Sequence, residues 1–231
     1  MNVRVGTSGY SYTPWKGSFY PEDLKSADML RYYAEHFPTV EINNTFYRMP
    51  SATTIEHWAA ETPASFSFAL KAPRRLSHEK RLQDAEAAAY FFSTSALLAE
   101  RLGPTLFQLP PFFRKDVGRL SDFLAKVPEG RRVAFEFRHA TWFDDEVYGA
   151  LRAKGAALCL ADTDETPVSR LVATADWGYL RLRRVAYDDA ALDTWAQRVR
   201  DQPWKEAWVF FKHEEAGTGP KLARQLIERL G

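Results

Sequence analysis

Short apolar runs alternate with longer amphipathic ones from one end of the chain to the other, and this alternation constrains the fold more than any other feature. Runs too short for helices, repeated between segments of helical spacing, are the pattern of strand-helix units around a parallel sheet. Eight such cycles can be counted. Strands are predicted at 3–7, 40–43, 66–71, 105–109, 133–138, 156–161, 179–183 and 208–212. Helices are predicted from Asp23 to Phe37, from near Ser51 with Thr53 and Glu56 as a capping box, and from Leu82 to Leu102 with Gly103-Pro104 as its stop. Further helices are predicted over Asp116–Val127, Asp144–Lys154 closed by Gly155, Asp188–Arg200 and Pro220–Leu230. Thr163–Ala175 is the weakest cycle, because Pro167 leaves room for little more than a short helix. Eight units in 231 residues point to a single-domain TIM (β/α)8 barrel spanning 1–231, with an open doubly wound sheet as the rival.

Thirty-one Lys and Arg against thirty Asp and Glu give no global charge that would select nucleic acid or an anionic membrane, so any such partner has to be argued from local clusters. The one cysteine, Cys159, excludes an internal disulfide and a cysteine-rich metal framework. The amino terminus lacks a signal pattern and no apolar run approaches ~18 residues, so a soluble, cytoplasmic protein with no membrane partner is expected.

Within the fifth strand, Val133, Phe135 and Phe137 point one way, which sets Glu136 and Arg138 together on the other face, followed by a turn with His139 and Trp142. Parallel strands of a barrel are otherwise nearly continuous apolar runs. Here most of them end in polar or charged residues: Ser8, Glu41, Asn43, Lys71, Gln108, Glu136, Arg138, Asp162, Arg181, Arg183 and Lys212. A barrel gathers these ends on its active-site face. Any one of them alone is as well explained by a paired or rim charge, but a converging set of buried charges is costly to place without use. Three negatives (Glu41, Glu136, Asp162) against five positives (Lys71, Arg138, Arg181, Arg183, Lys212) suit an anionic ligand. The surplus disfavours a divalent metal, which wants carboxylates and imidazoles free of competing cations; no metal and no cofactor are expected. Of five scattered histidines, His139 is the one singled out. The eighth loop, with Gly217-Thr218-Gly219-Pro220 leading into a helix, offers the backbone N–H groups of Thr218 and Gly219 to an anion. Tyr10, Trp15, Tyr47 and Trp142 follow strand ends, where rings stack on a sugar or base or simply cap the barrel.

Taken together, Gly6-Thr7-Ser8-Gly9-Tyr10, Val40-Glu41-Ile42-Asn43-Asn44-Thr45-Phe46-Tyr47, Phe68-Ala69-Leu70-Lys71, Leu106-Phe107-Gln108-Leu109-Pro110-Pro111, Phe135-Glu136-Phe137-Arg138-His139, Tyr179-Leu180-Arg181-Leu182 and Gly217-Thr218-Gly219-Pro220 form a specific pattern. On these stretches the whole chain resembles the YecE-like family, called domain of unknown function 72. The resemblance implies a TIM barrel and names no reaction. One departure is Arg183-Arg184, where members often carry a His-Gly or similar pair, which makes the loop after strand seven more basic here.

Two functions are expected to compete. One is binding, and metal-independent transformation by a hydrolase, lyase or isomerase, of a phosphorylated or anionic small molecule. In it Glu136 or Glu41 serves as acid or base, Lys71 as proton donor or electrostatic stabiliser, and Arg138 with Arg181 as the anion clamp. The other is nucleic-acid binding or processing through Arg74, Arg75, Lys80, Arg81, Arg114, Lys115, Arg183 and Arg184 around an aromatic mouth. A Ser8, His139 and Asp162 triad is disfavoured by the absence of a nucleophile elbow, and the oligomeric state is left open.

Overall fold

Each predicted strand forms, and each lies parallel to its sequence neighbours in a computed structural model that describes residues 1–231. The strands are β1 (Asn2–Ser8), β2 (Thr39–Ile42), β3 (Ser67–Lys71), β4 (Leu102–Gln108), β5 (Val133–Glu136), β6 (Ala157–Asp162), β7 (Trp177–Leu182) and β8 (Glu206–Phe211). β1 pairs with β2 on one side and with β8 on the other, from Asn2↔Glu206 to Thr7↔Phe211, so the sheet closes into a barrel. Seven α-helices cover it: α1 (Met29–His36), α2 (Ala52–Ala60), α3 (Ala85–Ser95), α4 (Val117–Lys126), α5 (Asp145–Lys154), α6 (Asp189–Arg200) and α7 (Thr218–Leu230). No helix is long and apolar enough to cross a membrane.

Local chemistry accounts for the helix ends. Asp84, Asp116, Asp144 and Asp188 cap α3 to α6, each carboxylate accepting a backbone N–H of the first turn and placing negative charge against the helix dipole. Gly155, at φ 66°, closes α5 in the left-handed conformation as expected. The largest departures from the sequence reading are four. α1 starts only at Met29, after a 3₁₀ turn at Ser26–Asp28. α2 is capped by Ser51, whose Oγ accepts from Thr54 N, in place of a Thr53–Glu56 box. α3 ends at Ser95, and Gly103-Pro104 lies inside β4 at a register shift, where a Cβ on residue 103 would stand 2.6 Å from Ser67 Oγ. A bulge accepts the glycine and the proline that a regular central strand excludes. Between β6 and β7 there is no helix at all: the 163–176 segment crosses over as an irregular loop.

Strand alternation divides the side chains between two layers. Ala69, Leu106, Ala134, Ala157 and Cys159 from β3 to β6 face inward and, Leu106 apart, are small, and Trp177, Tyr179, Trp208 and Phe210 from β7 and β8 fill the barrel against them. Phe107, Phe135, Leu158 and Leu180 point outward to the helices. Two residues further along the inward rows of β5 and β7, the apolar filling gives way to Glu136 and Arg181, and on β2 the inward row runs from the buried Thr39 to Glu41.

Candidate functional site

Arg181 is fully buried at the upper end of the barrel and joins two carboxylates from opposite strands. Its Nη1 donates to Glu136 Oε2 at 2.7 Å, and its Nη2 and Nε donate to Glu41 Oε1 at 2.9 and 3.2 Å. Tyr179 OH donates to Glu41 Oε2 at 2.8 Å, Gln108 Nε2 to Glu136 Oε1 at 2.7 Å, and Arg138 Nε to the same Oε1 at 3.1 Å. Burial drives the Glu136 carboxyl upward, but Arg181 and Arg138 outweigh it and hold the group at about 2. Glu41 is likewise lowered, its burial outweighed by Arg181, Ser8 and Tyr179. Both carboxylates are therefore charged and their lone pairs occupied, and Arg181 is spent on holding them. Such an arrangement makes a rigid floor, since each buried charge is compensated with good geometry.

Above this floor stand cations with less to hold. Lys71 Nζ lies 4.1 Å from the centroid of Phe46 and has no carboxylate within ion-pair distance; burial first, and Arg181 second, bring it down to about 8. Arg183 forms no ion pair, its Nε lacks a partner, and burial with repulsion from Arg181 lowers it. Lys212 is lowered by burial and by Arg183, with Glu214 at 3.8 Å. Arg138 presents a side chain 37% exposed, anchored only through Nε. Asn43 reaches Glu41 from the rim at 3.4 Å, and Ser8 Oγ, buried without a well-formed hydrogen bond, lies beside the same carboxylate.

Residues 4–231 match the family model described as Protein of unknown function DUF72. The chain belongs to the DUF72 family. It is 26% identical to UPF0759 protein YunF of Bacillus subtilis, over 99% of this chain and 94% of YunF. It is also 32% identical to UPF0759 protein YecE of Escherichia coli K12, over 49% of this chain and 43% of YecE. A solved DUF72 family protein of Thermotoga maritima superimposes with TM-score 0.89 at 30% identity, covering 100% of this chain and 99% of that one. One from Enterococcus faecalis, at 20% identity and TM-score 0.79 over 99% of this chain and 95% of its own, shows the shared fold.

In this DUF72 barrel the polar strand ends do not all meet. Glu41, Asn43, Lys71, Gln108, Glu136, Arg138, Arg181, Arg183, Lys212 and Ser8 share one mouth, as the alternation from the inward rows requires. Asp162 has the opposite parity from inward-facing Cys159 and turns out of the barrel, where its carboxylate accepts from Arg184, from Tyr187 OH at 2.9 Å and from Val168 N at 2.9 Å. Without it the mouth holds two carboxylates against five cations, a larger positive surplus than the sequence count gave. His139 caps the turn Ala140–Trp142, its Nδ1 accepting from Thr141 N at 3.2 Å.

The aromatic residues are mostly structural. Trp15 is wholly buried among Tyr12, Phe19 and Tyr20, and Trp142 stacks on Phe137 at 4.6 Å while its Nε1 donates to Phe113 O. Tyr10 packs toward Tyr33, and Tyr47, 80% exposed, borders a separate surface groove with Met49, Pro73 and Tyr90. Thr218 N donates to Glu215 O, and Gly219 is packed against His213 O and Trp15, where a Cβ would stand 2.8 Å from that carbonyl. The glycine serves this close approach.

Three participants were not singled out from the sequence. Tyr179 could have been, since it precedes Arg181 by two residues and so shares its inward row. Phe46, beneath Lys71, follows β2 in the stretch Asn44-Thr45-Phe46-Tyr47, where nothing in the local pattern marks it out. His78, edge-on to Phe46 at 4.9 Å, is pushed down to about 4 by burial and by Lys71 and Arg138, so it is neutral at pH 7; it sits in a π-helical turn (Arg75–Glu79) that no sequence pattern announced.

Proposed function

We propose that this DUF72 barrel binds a small phosphorylated or otherwise anionic molecule at its mouth, with Lys71, Arg138 and Arg183 as the anion contacts and Lys71 as the group that transfers a proton. The observation that carries the reading is the pair Lys71 and Arg183: two desolvated cations, with no carboxylate partner, over a floor whose own charges are satisfied. An incoming anion supplies the compensation that the protein withholds, and charge-assisted contacts in a partly desolvated site are strong. Of the mouth's side chains with a perturbed pKa, Lys71 comes nearest neutrality, as proton transfer at physiological pH requires. Glu41 and Glu136 are poor acids or bases in this arrangement; their role is to fix Arg181 and to orient Arg138.

The nucleic-acid alternative draws less support. Arg75 pairs with Asp84, Arg74 with Glu79, Lys115 with Asp144 and Glu146, and Arg184 with Asp162, so half of the loop cations that reading invokes already have partners. A thermal-shift panel of inorganic phosphate, sugar phosphates and nucleotides, run beside oligonucleotide binding at low and moderate salt, separates the two. The proposal expects stabilisation by a small phosphorylated anion in the wild type, lost in Lys71→Ala and Arg183→Ala; tight, steeply salt-dependent oligonucleotide binding with no response to small anions would replace it with the alternative.

A further inference from the structure

The missing sixth helix leaves more than an irregular loop. β5 and β6 pair from Ala134↔Ala157 only as far as Glu136↔Cys159, whereas β6 continues along β7 to Asp162↔Leu182. Past Glu136 the two strands part, and a cleft of about 750 Å³ runs through the gap. Its inner end is lined by Glu136, Arg138 and Arg183 of the barrel mouth. Its outer end occupies the space that a helix covers elsewhere in the barrel, between α5 and the 163–172 segment; Phe143, Tyr148, Leu160, Val168 and Val172 give it an apolar wall, and Glu165 and Arg170 add charged groups from the roof segment. Phe143 is 45% exposed there, and Tyr148, Val168 and Val172 are only half-buried, so apolar surface is left uncovered along the cleft. The roof is held in place: Asp162 accepts Val168 N, Thr163 Oγ1 accepts Thr166 N at 3.0 Å, and Asp164 accepts Val185 N at 2.8 Å.

From this continuity of a cationic inner end with an apolar outer end we infer that the ligand is an anion carrying an elongated apolar tail, its charged head on Arg138 and Arg183 and its tail threaded between β5 and β6 beneath the 163–172 roof. The inference rests on the anion reading of the mouth and names the substrate class for it. A compact anion fills only the inner end. Each methylene that enters the outer part leaves water for an apolar wall, which corresponds to roughly a fourfold gain in affinity per group.

The test is a calorimetric titration with inorganic phosphate and with monoalkyl phosphates from methyl to hexyl. The expected result is a Kd that falls roughly fourfold per carbon along the series, and that becomes independent of chain length in Val172→Trp, which fills the outer cleft, while inorganic phosphate binds that variant as it binds the wild type. Equal binding of phosphate and every alkyl phosphate by the wild type overturns the tail assignment and leaves the anion reading standing. Chain-length dependence that survives unchanged in both Val172→Trp and Val168→Trp overturns the assignment to this cleft. If neither phosphate nor any alkyl phosphate binds, the anion reading itself fails and takes this one with it.

Discussion

Arg181 and Lys71 are cations a few residues into the same mouth, and their surroundings give them opposite work. Arg181 is surrounded by acceptors, held charged by Glu41 and Glu136 against the burial that would discharge it. Removing one member of a buried, satisfied ion network leaves the others uncompensated, so Arg181→Met should destabilise the fold by about 3–5 kcal/mol, read as the midpoint of denaturant unfolding. Glu136 has a folded pKa of about 2, below its unfolded value, so its contribution to stability is present above the unfolded carboxylate range and is lost as pH falls toward 2. Lys71 is the reverse case: a folded pKa of about 8, below the unfolded value of 10.5, marks a charge that the fold disfavours at pH 7, a penalty relieved only as pH rises from about 8 to 10.5. Lys71→Met should therefore raise Tm at pH 7 by a few degrees, on the order of 1 kcal/mol after allowing for its partial solvation, while it removes anion binding. An unchanged or lowered Tm would show that Lys71 is not held at a cost. Wild-type anion binding should weaken as pH rises through about 8, followed by calorimetry across that range.

At the scale of elements, what the sequence made legible was periodicity, and what it hid was register. Alternation put Glu136 and Arg138 on one face of β5, and the same rule, carried back from Arg181, puts Tyr179 in the barrel. As a strand end Asp162 reads as a mouth residue, but its parity from inward-facing Cys159 turns it outward, since a one-residue difference moves a side chain to the opposite face. Gly103-Pro104 reads as a helix stop in any local scheme; only the contact with Ser67 and the register shift against β3 show that it belongs to β4. The missing helix between β6 and β7 was half visible in Pro167. Asp162 then acquires a role that follows from its true position, as the tie between Arg184, Tyr187 and the loop roof. Asp162→Ala should speed hydrogen exchange of the Val168 amide and of the 163–172 segment while protection in β1 to β5 stays as it is; unchanged exchange at Val168 would remove Asp162 as the tie.

The whole molecule is nearly neutral, at net +1, yet it concentrates five cations around two carboxylates at one end of one barrel. That concentration comes from closure. Glu41 and Arg181 are 140 residues apart in sequence and 2.9 Å apart in space, and no local pattern predicts the pairing. The barrel itself was legible from eight strand-helix cycles; the split of the mouth into a satisfied floor and unsatisfied cations above it was not, because it depends on which strands face each other across the interior. The central claim is that Lys71, Arg138 and Arg183 together form an anion site. Anomalous diffraction from a crystal soaked with selenate, an oxyanion of phosphate's charge and shape, tests it most directly. The account predicts a peak within hydrogen-bond distance of Lys71 Nζ and the Arg183 guanidinium, weakened in Arg183→Ala by an affinity loss of about tenfold or more. A mouth without selenate, in a crystal where the ion binds elsewhere on the surface, would contradict it.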